Sequence, residues 1–178
     1  MVSEARGRVP GTFPALLSAI QRGAESGGEP AEFVERFVGY ATDVLAWHLI
    51  ASERLAARDV FLCDEGFVQR LVSLVSPGDA KSWLPLIPPV DLLFVVRARR
   101  ATCMERMQHR PRRLPNRFVG RSPAEIDTAL FRMEGTVSEL EVALREAGTS
   151  VVRVDTDELG LGAATALVVA ATTEWMRT

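Results

Sequence analysis

The chain has 178 residues, 47% of them hydrophobic and 25% charged, a balance that supports a buried core and excludes a chiefly disordered chain. The net charge is −2, no apolar run reaches the ~18 residues of a membrane span, and Met1-Val2-Ser3-Glu4-Ala5-Arg6 leads into no signal-peptide core, so a cytoplasmic, non-membrane protein is expected. Two cysteines, Cys63 and Cys103, make no disulfide framework, and Cys103 with His109 supplies too few ligands for zinc.

Residues 1–29 carry Gly7, Pro10, Gly11, Pro14, Gly23, Gly27 and Gly28 and read as loop with one short helix over Phe13 to Arg22. From Pro30 to Ala57, Phe33, Phe37, Val38, Ala41, Val44, Leu45, Leu49 and Ile50 recur at three and four, which is one face of a long helix. His48 lies beside that face and reads as an ordinary helix-surface or core histidine. The unbroken apolar run Val60-Phe61-Leu62-Cys63 predicts a strand buried on both faces, turning at Asp64-Glu65-Gly66. A helix over Phe67 to Val75 and a short turn over Ala80 to Ile87 come next. Leu92 to Val96 is a second buried strand, and Thr102 with Glu105 forms a capping-box pattern that predicts a helix from Cys103 to His109.

Pro111 and Pro115 interrupt the stretch that follows, which reads as a loop or flap. Ser122-Pro123-Ala124-Glu125 is another capping box. Ile126, Leu130, Met133, Val137, Leu140 and Leu144 carry its helix to Gly148. Val151 to Val154 is a third strand, ended by Asp155-Thr156-Asp157, and Ala163 to Met176 is an apolar helix. Strands of this non-alternating kind, separated by helices, predict an α/β fold: a parallel sheet with helices on both faces in one domain. Such sheets place their ligands at the carboxyl ends of the strands, here Asp64-Glu65-Gly66, Arg97 and Asp155-Thr156-Asp157.

Two patterns there carry chemistry. An acid pair at a strand end, Asp64-Glu65, suits phosphoryl transfer, with one carboxylate on magnesium and the next orienting or deprotonating a hydroxyl; any strand can also end in a polar pair before glycine. Residues 97–121 hold nine arginines against the single acid Glu105. Guanidinium groups in a flap would close over polyphosphate, whereas a solvated basic loop is the plainer reading. A nucleic-acid footprint ranks last, because Phe118 is the only aromatic residue in the stretch. The chain contains no Gly-x-x-x-x-Gly-Lys-Ser/Thr: its only lysine, Lys81, follows Ala80, and Gly7-Arg8-Val9-Pro10-Gly11-Thr12 lacks both the lysine and a preceding strand.

The order of these features resembles the P-loop nucleoside and nucleotide kinase group, the thymidylate-kinase-like and adenylate-kinase-like proteins often labelled AAA-family ATPases. Val60 to Gly66 looks like their Walker B strand and turn, Pro89 to Val96 like the strand leading into the lid, and Ala101 to Arg110 like the lid's first helix. Residues 106–121 are similar to the lid, and Val151 to Asp155 to the last strand, whose loop borders the base. The resemblance spans residues 30–178 and departs at the P-loop, its strand and the elements after it, so a partial domain whose polypeptide begins upstream of Met1 is expected. It implies Mg²⁺ and ATP as cofactors and a small-molecule phosphoryl acceptor. Asp64 would hold the metal, Glu65, Arg106, Arg110 and Arg117 would be catalytic, and Arg112, Arg113 and Asp155 would bind the nucleotide. Without the P-loop the chain is expected to be inactive, or else a non-catalytic pseudo-kinase or interaction module. A homo-oligomer is compatible with either.

Overall fold

The computed structural model describes residues 13–27, 31–54, 63, 67–72, 78–86, 88–109 and 118–177. The single domain expected from length divides into two compact units, Met1–Pro89 and Val90–Thr178.

Among the described residues the first unit is helical. Helix α1 (Phe13–Gly27) runs five residues past the expected Arg22, and α2 (Ala31–Arg54) occupies most of the predicted 30–57 span. Two short helices, α3 (Phe67–Leu71) and α4 (Ala80–Trp83), follow, and a 3₁₀ turn (Leu84–Leu86) extends α4. Leu16, Ala19 and Ile20 of α1 are buried, as are Phe37, Ala41 and Ala46 of α2, Leu71 of α3, and Ala80 and Trp83 of α4. Of the apolar face expected on α2, Phe37 and Ala41 are buried and Val38, Val44, Leu45 and Ile50 are half-buried, while buried Ala46 was not among the expected positions. His48 is half-buried on α2. Of the strand expected over 60–63 only Cys63 is described, and it is exposed and in no strand; the rest of that strand, Asp64 and Glu65 lie outside the described residues.

The second unit is α/β. Strand β1 (Leu92–Arg97) leads to α5 (Arg100–Gln108), then α6 (Pro123–Glu146), β2 (Ser150–Asp155) and α7 (Leu161–Trp175). The strands pair in parallel from Leu92↔Ser150 to Arg97↔Asp155, and Ser150 N–H to Asp91 O (2.9 Å) and Thr156 N–H to Arg97 O (2.8 Å) extend the ladder at its ends. Parallel pairing requires a long crossover, which α5 and α6 supply. Buried Val95 and buried Val154 lie on opposite faces of this two-stranded sheet.

The caps decide where the helices begin. Ser122 and Glu125 form the expected capping box on α6: Ser122 N–H donates to Glu125 Oε2 at 2.7 Å, and Glu125 N–H donates to Ser122 Oγ at 3.4 Å. At the other end Gly148, with φ of +97°, lets Thr149 N–H reach back to Leu144 O (3.0 Å) and Gly148 N–H to Arg145 O (3.0 Å), a glycine-dependent stop. The expected box at Thr102 does not form. Helix α5 starts at Arg100, so Thr102 lies inside the first turn and not at the N-cap, and no side chain of the N-cap Arg99 caps it. Helix α7 is uncharged from Leu161 to Thr173 and none of its residues is buried.

Candidate functional site

Two charged clusters stand on the strands of the second unit. The first is at their carboxyl ends. Asp155 Oδ1 accepts the Asp157 N–H at 2.8 Å and, more weakly, the Glu158 N–H at 3.4 Å, which turns the chain sharply after β2. That turn aims Asp157 at the start of α5. Its Oδ2 accepts the Arg99 backbone N–H at 2.6 Å and Arg99 Nε at 3.1 Å, and its Oδ1 lies 3.7 Å from an Arg106 nitrogen. Arg106 also donates to the hydroxyl of Thr156 (2.7 Å) and to its carbonyl (2.9 Å), while the Thr156 hydroxyl bonds Arg97 O at 3.0 Å. The Arg99 amide, with Thr102 and the Arg99 side chain, holds the Asp157 carboxyl below its ordinary range against the opposing effect of burial. A carboxylate at the first turn of α5 also meets the positive end of that helix.

Cys103 sits in the same first turn, its thiol 3.8 Å from Ala98 O. Burial pushes that thiol up, against the pull of Arg106, so it is less nucleophilic than an exposed cysteine.

The second cluster lies between α6 and the sheet. Glu141 is 1% exposed, yet three arginines reach it: Arg97 at 2.8 Å, Arg153 Nε at 2.6 Å, and Arg145 one helical turn on at 2.9 Å. Arg97 and Arg153 lie on the same face because they are two residues out of register on paired strands. Arg97 also donates to Ser138 Oγ (3.3 Å), and its Nε is buried without a hydrogen-bond partner. Burial alone would push the Glu141 carboxyl up; the Arg153 hydrogen bond and the three positive charges outweigh it and bring it below the ordinary value.

Of the residues singled out from the sequence, Asp155 ends β2 and shapes its turn, and Arg106 reaches Thr156 and Asp157 next to it. Arg110, Arg112, Arg113 and Arg117, like Asp64 and Glu65, lie outside the described residues. Phe118 is buried and so is no platform for a base. Arg100 is engaged by Asp127 (3.4 Å) and Glu134 (3.5 Å) and lies over the Phe131 ring at 5.0 Å. Glu141, Arg145 and Arg153 were missed in the sequence, while Arg99 counted only within the arginine-rich stretch and Asp157 only within the strand-end turn Asp155-Thr156-Asp157. Glu141 had a signal, an acid on the apolar arc between Val137 and Leu144; Asp157 had only its place beside Asp155.

The described residues contain no group of three or more His, Cys, Asp or Glu able to hold a metal, and Asp155 spends an oxygen on its own turn. No described helix is long and apolar enough to cross a membrane. No family model matches the chain, and neither a curated protein nor a solved structure matches it.

Proposed function

We propose that the chain is a scaffold of the P-loop nucleoside and nucleotide kinase type that keeps the lid-side and base-side elements but does not itself transfer a phosphoryl group. The observation that supports this reading is the strand-end cluster. Two parallel strands bring Arg97, Arg99 and Arg106 together with the loop Asp155–Glu158 at their carboxyl ends, where such sheets take their ligands. Transfer from ATP to a small acceptor needs a phosphate-cradling loop with its lysine, and the chain has none. The roles of Asp64 toward magnesium, of Glu65 toward an acceptor hydroxyl, and of Arg110, Arg112, Arg113 and Arg117 toward phosphates belong to a form that gains that loop.

Titration of AMP at millimolar concentration, followed by backbone amide shifts, tests the reading. The expected outcome is weak binding that perturbs residues 155–160, with no micromolar affinity for magnesium-ATP by calorimetry. Unperturbed amides throughout would overturn the scaffold reading, and micromolar, magnesium-dependent ATP binding would overturn its inactivity. A second reading, an interaction module, is favoured by α7, because a helix apolar on all sides is normally buried and here every residue keeps some exposure. Silent AMP titration would shift the balance to it.

A further inference from the structure

Asp157 has a role that phosphate chemistry does not require. Its side chain is 6% exposed, and its bonds run from the loop after β2 to a helix 58 residues away in sequence. One oxygen takes both the backbone and the side chain of Arg99. Arg106, about two turns further along α5, grips the same loop by the Thr156 hydroxyl and carbonyl. The helix is therefore tied to the loop at two heights. Thr156 is in turn held to the end of β1 through Arg97 O by both its amide and its hydroxyl. Loop and helix have no freedom to move separately without breaking a charge-assisted hydrogen bond.

We propose that Asp157 is a positioning residue that makes the β2–α7 loop and α5 one two-state element, so that an occupant of the loop changes the setting of the arginines on α5. The groups facing it from the packed elements are Arg99, Thr102 and Arg106 of the β1–α5 segment, and Asp155 of its own turn is occupied by loop amides. Shared opening, rather than a wire of contacts, carries the coupling: freeing either end removes the partner that ordered the other. The coupling itself is independent of the scaffold reading; only the identity of the occupant, a nucleotide, rests on it.

Amide hydrogen exchange of the full chain without ligand tests the coupling. Asp157→Asn keeps the shape and removes the charge. It is expected to speed exchange at the Arg99 and Cys103 amides of the helix start and at the Glu158 and Leu159 amides of the loop together, by about tenfold. Thr156→Ala, a change confined to the loop, is expected to speed exchange at the start of α5 as well, with far-ultraviolet circular dichroism unchanged. Exchange that rises only in the element carrying the substitution overturns the proposal. With AMP added, the wild-type chain should show shifts at Arg99 to Arg106 as well as in the loop, and Asp157→Asn should keep the loop shifts and lose those on α5. Loop shifts with no α5 shifts in the wild-type chain overturn the coupling. If AMP perturbs nothing, the scaffold reading fails while the exchange result still decides the proposal.

Discussion

Under α6, one buried carboxylate gathers three guanidinium groups from a helix and two strands; at the strand ends, one carboxylate gathers an amide, a hydroxyl and two guanidinium groups from a single loop-to-helix junction. Glu141 joins elements that must pack for the unit to exist. Asp157 joins segments that the parallel strands have already brought together. The same residue types therefore do different work: the first cluster is expected to report on global stability and the second on local opening.

The sharpest way to break that distinction is Glu141→Gln. It leaves three arginines around a neutral amide and is expected to destabilise the chain by about 2–4 kcal/mol, toward the low end for buried pairs because the arginines keep contact with water. Urea unfolding measures it. Asp157→Asn in the same experiment should lower the midpoint by less, because its bonds tie a junction that the paired strands already hold; equal losses in the two variants would erase the contrast.

Acid should act through the same groups. The folded-state values of Glu141 and Asp157 lie below those of the unfolded chain, so the unfolded chain binds protons first as the pH falls. Their stabilisation is complete above the ordinary carboxylate range and is lost as the pH drops below about 4, through the folded values. Urea midpoints measured from neutral pH downward should show the gap between wild type and Glu141→Gln closing in acid. A constant gap would mean that the carboxylate charge contributes nothing.

Single arginine changes sharpen the picture further. Arg97→Met should cost more than Arg153→Met, about 1–2 against about 0.5–1 kcal/mol, although Arg153 makes the shorter bond, because Arg97 is the more buried of the two and also holds Ser138. The reverse order would make bond length, not burial, the deciding quantity. Effects of similar size belong to the ends of α6, which carries Glu141: Ser122→Ala and Gly148→Ala should each cost about 1 kcal/mol, the first through the lost cap and the second through a left-handed φ that alanine resists. Thermal unfolding resolves both.

Much of the second unit was legible in advance. The apolar runs at Leu92 and Val151 marked both strands to within a residue at each end, and the Ser122 box with its periodic apolar positions marked α6. The start of α5 was misplaced because the helix begins at Arg100, which leaves Thr102 inside the first turn and not at the N-cap that a capping box needs. Of the candidate site, Asp155 was read as a strand-end group and Arg106 as a lid arginine, but where the Arg106 guanidinium goes was not readable, since Thr156 lies 50 residues away.

Composition, periodicity and capping determined by themselves the helices α1, α2 and α6 and the two apolar strands β1 and β2, because those signals act between residues a few positions apart. The chain also carries, written in its own residues, the want of a phosphate-cradling loop. Tertiary structure alone decided which acid meets which arginine. A guanidinium pairs with whichever carboxylate the register of β1 and β2 and the line of α6 bring within about 3 Å, and that distance is set by strands and helices far apart in sequence.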